Sequence, residues 1–208
     1  MQQAEASLLA LHGALKKGAT VADAAKVAKA EASFKGEMRE IGARLMDHFS
    51  LNRLFGLRTA AELFGTAANR VHYTSALRYP VLERKPADPT WKNYGGDVKI
   101  VLRPAMKAMV DRYLAQELAI LPGAWLVPFG PVPVLALEYL ASQGKIDANR
   151  ILPGLNHPSG THWNRHKCQL NLVDHRSCAS NVGCETIQSR SRLLREKVAV
   201  KLMATEGH

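Results

Sequence analysis

Two groups of residues in this chain have types and spacing that could do chemistry. The first is the run Asn156-His157-Pro158-Ser159-Gly160. An imidazole such as His157 can donate a hydrogen bond or carry a proton near neutral pH. A hydroxyl such as Ser159 can hold a phosphate oxygen. Gly160 lets a ligand approach the backbone where a Cβ would block it. Arg165 and Lys167 follow closely, and each cation that meets a phosphate deepens the salt dependence of nucleic-acid binding. The second group is His166, Cys168, His175, Cys178 and Cys184. Zinc takes Cys and His, most recognisably as paired CxxC. The spacing here is Cys-x9-Cys-x5-Cys, with no CxxC. Three cysteines are an odd count, which argues against a disulfide scaffold and for a reducing compartment. The expectation is three free thiols, no metal and no cofactor.

Composition narrows the class. The chain has 208 residues, 47% of them hydrophobic, enough for a packed core. Lys and Arg total 28 against 18 Asp and Glu, a formal net charge of +10. A basic protein of this size is matched to polyanions, with nucleic acid the first candidate. There is no run of about 18 apolar residues to span a membrane. The N-terminal MQQAEASLLALHGALKKG lacks a basic flank and a cleavage site, so it is a poor signal peptide. We expect a cytoplasmic, monomeric protein. A Gly-x-Ser-x-Gly elbow and a GxxxxGK[ST] loop are both missing from the sequence, which sets aside serine-hydrolase and nucleotide-triphosphate chemistry.

The elements that must position these groups can be read from periodicity. Residues 1–35 are rich in Ala and Lys and read as a helical or disordered segment. Residues 36–208 read as one domain with a basic C-terminal tail. Met38, Ile41, Leu45 and Phe49 are spaced as one helix face. Thr59 with Glu62 is a capping box, and Gly65 a stop. Residues 71–77 read as a buried strand. A long polar loop from Arg78 to about Asp97 follows, with Pro80, Pro86, Pro89, Gly95 and Gly96. Pro104 opens an amphipathic helix over 104–121. Residues 124–130 read as a second strand, 131–143 as a helix, and 151–155 as a third strand feeding the His157 loop. Alternating strands and helices predict a parallel α/β sheet, whose ligands sit beyond the carboxyl ends of its strands. Thr74/Ser75, Phe129-Gly130 and Asn156–Gly160 would all lie there. The basic tail, residues 188–201, reads as a surface helix.

Four segments resemble the uracil-DNA glycosylase superfamily: RVHYTSALRYPV, KNYGG, LPGAWLVPFGPVPVLALEYL and LNHPSGTHWNR. Together they run from about residue 50 to 170. The resemblance implies an α/β three-layer sandwich, a short parallel sheet flanked by helices. It implies DNA as the partner and hydrolysis of the N-glycosidic bond of uracil or another deaminated base after base flipping. It makes His157 the catalytic donor to the departing base anion. It places Ser75, Tyr94 and Asn156 against the base, and Lys92, Ser159, Gly160 and Arg165 against DNA. Tyr73 and Tyr79 are further stacking candidates, and His162 and Trp163 fall where the family inserts a wedge.

Two departures from the family pattern are legible. The base-reading position, often Asn, is Ser75 here, and a hydroxyl pairs with fewer groups than an amide. The family's water-positioning motif, Gly-x-(Asp/Asn/Ala)-Pro, is missing where the sequence reads HGALKKGATVADAAK. The N-terminal strand that should precede it is missing too. Alternatives therefore stand beside the enzyme: a catalytically incomplete DNA-binding relative or fragment, or a basic protein-interaction module.

Overall fold

A computed structural model describes residues 2–32, 34, 36–84, 89–96 and 99–206. The chain forms two compact units. One comprises Met1–Tyr73 with Pro158–Trp163, the other Thr74–His157 with Asn164–His208. Among the described residues, no helix is long and apolar enough to cross a membrane.

The first unit is helical. Helices α1 (Gln2–Lys16) and α2 (Val21–Ala32) are joined through Gly18, whose φ of 82° favours glycine. The Ser7 hydroxyl donates to the Ala28 carbonyl at 2.8 Å and ties one helix to the other. Helix α3 (Glu37–His48) buries Ile41, Leu45 and Met46, and Phe49 just beyond it is buried too. This is the face that the spacing predicts. A short helix α4 (Leu51–Leu54) leads to a 3-10 turn, Ala60–Phe64. The Thr59/Glu62 capping box is present at the start of that turn. The Asp47 carboxylate accepts from Thr59 Oγ1 at 2.6 Å and from the Ala60 N–H at 2.7 Å, fixing the turn against α3.

The second unit holds most of the segments expected to build a parallel sheet, and they build none. Among the described residues the named strands are β1 (Leu82–Glu83) and β2 (Lys92–Asn93), antiparallel and two residues long. This pair lies inside the expected long loop; Pro86 and Asp97 of that loop fall outside the described residues. Residues 71–77 form no strand. Residues 124–130 and 151–155 do run parallel, but only through isolated bridges, Leu126 with Ile151 and Phe129 with Leu155. The α/β three-layer sandwich is thus overturned: the fold is mainly helical. The physical reason is visible in the two segments. Pro128 and Pro153 lie between the bridges and donate no backbone hydrogen bond. Gly154, at φ 135°, turns the second segment out of extended geometry. Two strands without a third are marginal on their own.

Helices supply the core instead. Pro104 does open a helix, α5 (Pro104–Met109). It runs through a π turn, Val110–Leu114, into α6 (Ala115–Ala119). Helix α7 (Pro131–Ser142) packs on them, and Val110, Leu114, Leu118, Ala136, Leu137 and Leu140 bury one another with Leu126 and Ile151. Helices α8 (Trp163–Gln169) and α9 (Cys184–Glu206) complete the chain. Helix α9 is not merely a basic surface element. Ile187, Ser191, Leu194 and Val198 form a buried stripe along it. The stripe approaches Gly154 so closely that a Cβ there would stand 2.9 Å from the Arg190 carbonyl oxygen and 3.0 Å from Leu194 Cβ.

Asp111, in the π turn, collects three donors: Lys107 Nζ at 2.8 Å, Tyr139 Oη at 2.9 Å and Lys145 Nζ at 3.0 Å. The Lys107 hydrogen bond is the largest cause that holds the Asp111 carboxyl down, to about 2 from its ordinary 3.8. A carboxyl depressed on folding contributes stability above its unfolded pKa and loses it as pH falls through the folded value. Urea midpoints measured from pH 5 down to pH 2 should therefore fall more steeply for the native chain than for Asp111→Asn. Parallel curves would show that the cluster adds nothing to the fold.

Candidate functional site

Asn156 and Gln169 hold the chain that leads into the His157 loop. Asn156 is buried. Its backbone N–H donates to Gln169 Oε1 at 2.8 Å, and its side-chain Nδ2 donates to the Arg165 carbonyl at 3.1 Å. Gln169 is fully buried. Its Nε2 donates to the Gly154 carbonyl at 2.7 Å and to Ser191 Oγ at 3.2 Å. One amide thus clamps the chain on both sides of Leu155 and fastens it to α9. The parallel bridge adds the Gly130 N–H donating to the Leu155 carbonyl at 2.8 Å.

His157 itself is exposed. Gly130 lies directly against it. A Cβ on Gly130 would come 3.3 Å from His157 Cβ, and Gly130 has a φ of 91°. Both the space and the backbone conformation there favour glycine. The sequence expectation that Phe129-Gly130 and the His157 loop converge is met, although no sheet brings them together. The result is an imidazole displayed to solvent from a loop with a locked backbone, the preorganisation that a hydrogen-bond donor to a developing anion requires.

A cationic pair lies in the same unit. Arg165, on α8, is exposed, and Arg190, on α9, is half-buried. Burial pushes the Arg190 guanidinium below its ordinary value, and the positive charge of Arg165 adds to the shift. Arg190 Nε has no hydrogen-bond partner among the described residues. A half-buried guanidinium with a nitrogen short of an acceptor is suited to an anion.

The other expected site residues fall elsewhere. Asn156 spends its amide inside the protein, as described. Ser75 is exposed on an irregular segment, while the neighbouring Thr74 hydroxyl donates to Glu117 Oε2 at 2.6 Å. Tyr94 is half-buried with the Arg103 guanidinium 5.3 Å above its ring, a cation–π contact. Lys92 is exposed on β2. Tyr79 makes an edge-to-face contact with Tyr113 at 5.4 Å.

Five candidates belong to the first unit: Tyr73, Ser159, Gly160, Trp163 and His162, the last exposed in the 3-10 turn Gly160–His162. Tyr73 packs there between Phe34 and Phe64, and its hydroxyl donates to the Leu63 carbonyl at 3.0 Å, so it is a core residue. Ser159 Oγ lies 2.8 Å from Thr161 Oγ1. The space that Gly160 leaves open is filled by the Glu37 carboxylate, which a Cβ would strike. A carboxylate repels phosphate, so this contact is not the one that the resemblance implies for Gly160. Trp163 has Arg44 over its ring at 5.5 Å.

Sequence reading placed Gly130 in this arrangement but missed Gln169. Gly130, between Phe129 and Pro131, carried a visible turn signal. Gln169 carried none, because one polar residue at a helix end looks like any solvated side chain. The thiols also differ from expectation. Cys178 and Cys184 are joined as a disulfide, and Cys168 alone is a free thiol.

The chain is 32% identical over 155 residues to the uncharacterized protein YoxB of Bacillus subtilis (strain 168). The match covers 74% of this chain and 58% of that protein, so the chain spans little more than half the length of its relative. No family model matches the chain. No solved structure matches it.

Proposed function

We propose that this chain binds DNA and presents His157 to a base that has left the duplex, for hydrolysis of the N-glycosidic bond of uracil or another deaminated base. The observation that carries this reading is the locked loop: an exposed imidazole on a backbone clamped by a buried glutamine and seated on Gly130. The resemblance of four segments to uracil-DNA glycosylases supplies the reaction. As the glycosidic bond lengthens, the sugar gains oxocarbenium character and the base leaves as an anion. A donor fixed at the anion's carbonyl oxygen stabilises that state without reorganising. Arg165 and Arg190 supply the charge that a phosphate backbone neutralises, and the net charge of +10 has the sign for long-range attraction.

A second reading has its own support. The Asn156 amide is committed to Arg165, and the family's water-positioning motif is missing from the sequence. A protein so built binds DNA and excises nothing.

The test is one oligonucleotide duplex carrying a single deoxyuridine. Excess protein is added, abasic sites are cleaved with alkali, and binding is followed in parallel over a salt series. The enzyme reading expects strand cleavage. Binding without cleavage of uracil, xanthine or hypoxanthine substrates selects the second reading. In either case Arg165→Ala should flatten the slope of log K against log salt by about 1. Failure to bind DNA at low salt would sink both readings and leave a protein-interaction module.

A further inference from the structure

The C-terminal stretch gathers sulfur and imidazole groups that the His157 loop does not use. Cys168 lies on α8, and His175 opens the 3-10 turn His175–Ser177. Cys178 follows that turn, and Cys184 begins α9. The ligand atoms of Cys168, His175 and Cys184 all lie within 4.8 Å of one another. Cys168 Sγ stands 3.8 Å from His175 Nδ1. Cys178 Sγ is bonded to Cys184 Sγ, so opening that disulfide frees a third sulfur next to the group. Three ligand atoms therefore converge, two sulfurs and one imidazole nitrogen, and a third sulfur is bonded to one of them.

Their spacing matches a tetrahedral metal. Zinc–sulfur bonds of about 2.3 Å and zinc–nitrogen bonds of about 2.0 Å place ligand atoms roughly 3.5–3.8 Å apart around the ion. The Cys168–His175 separation is already of that size. The surroundings also fit. Cys168 and Cys184 are buried against Val182 and Ile187, with Val173 over them. Gln188 Nε2 donates to the Cys168 carbonyl at 2.8 Å and reaches Cys168 Sγ at 3.8 Å. An amide N–H aimed at a sulfur is the outer contact that metal thiolates commonly carry. His175 is exposed and gives an ion a way in.

We propose that Cys168, His175, Cys178 and Cys184 form a Cys3His zinc site, and that zinc and the Cys178–Cys184 disulfide exclude each other. A cellular dithiol opens the disulfide. One of its thiolates attacks a sulfur of the pair to give a mixed disulfide, and its second thiol closes on the first. The dithiol leaves as a disulfide, having given two electrons and two protons, and Cys178 and Cys184 are left as thiols. Zinc then displaces three thiol protons and takes the lone pair of neutral His175, which leaves the site with a net charge of −1. In the reverse direction a small-molecule disulfide accepts two electrons from Cys178 and Cys184 by thiol–disulfide exchange and leaves as two thiols; the restored bond removes two of the four ligands and expels the ion. The CxxC pattern that marks most such sites is replaced by Cys-x6-His-x2-Cys-x5-Cys. The ion would close the connection between α8 and α9, the helices that carry Gln169 and Ser191.

The test uses the full chain, reduced with a phosphine and titrated anaerobically with cobalt and then zinc. One equivalent of cobalt should raise the visible bands of a tetrahedral cobalt thiolate, and one equivalent of zinc should bleach them. Chain oxidised with diamide should give no bands. Cys178→Ser should weaken zinc binding roughly 100-fold or more. A reduced chain without stoichiometric bands, or an oxidised chain that binds as well as the reduced one, would overturn the site. Should the variant fail to fold, the unaltered chain still decides the matter. Zinc must protect Cys168, Cys178 and Cys184 from alkylation in peptide mass spectra, and equal labelling with and without zinc refutes the proposal.

Discussion

Replacing His157 with alanine is expected to slow excision of deoxyuridine about 100-fold under single-turnover conditions, the loss typical of one donor to a developing oxyanion. DNA affinity should stay within about twofold, because phosphate contacts dominate it. The asymmetry follows from geometry. His157 is exposed, and the backbone that leads into it is held by other groups: Asn156 by Gln169, Leu155 by Gly130. On the proposed reading, removing the imidazole takes away the reacting partner, while Gln169 and Gly130 still hold the backbone that leads to it. A variant that excises at the native rate would remove His157 from the chemistry. A variant that loses DNA binding along with excision would show the residue to be a binding contact. Rescue by added imidazole of the excision rate alone would be the sharpest confirmation.

The helical half of this fold was legible because helix signals are local. The Thr59/Glu62 capping box, Pro104 at a first turn and the Ile41/Leu45/Phe49 stripe each act within a few residues. The sheet was misread because apolar runs such as 124–130 and 151–155 satisfy strand propensity, while pairing depends on the partner. Pro128 and Pro153 withhold donors where a ladder would need them, and only the bridges on either side survive. Helix α9 was misread in the opposite sense. Its arginines suggested a solvated helix, but Ile187, Ser191, Leu194 and Val198 make a narrow buried stripe in which Ser191 hides the pattern. The meeting of Gly130 with His157 was expected at the carboxyl ends of a parallel sheet and is reached through two isolated bridges instead. The Cys and His residues of 166–184 were read as one group but set aside for want of a CxxC, and the meeting of Cys168 with His175 and Cys184 is a product of tertiary folding that this spacing rule does not contain.

The link between fold and site runs through Gln169, and its removal should be the most damaging single change to the platform. Gln169→Leu keeps roughly the same volume and deletes the amide. The Asn156 N–H and the Gly154 carbonyl then lose bonds of 2.8 and 2.7 Å, and Ser191 Oγ loses one of 3.2 Å. Gln169 and Ser191 are fully buried, so water is poorly placed to replace these contacts. Each stranded buried group costs about 1–3 kcal/mol. A total near ~3 kcal/mol is reasonable, because the loop can shift to recover part of it. For a chain of this size that lowers Tm by roughly 6–12 °C. Ser191→Ala, which removes only the longest bond, should cost about 1 kcal/mol. The two effects should not add, since both act on one network. Below its melting range, Gln169→Leu should bind DNA nearly as the native chain does while losing excision, because its loop no longer holds His157 in a single place. A variant that melts early yet excises normally once folded would confine Gln169 to stability and leave Gly130 as the element that positions the imidazole.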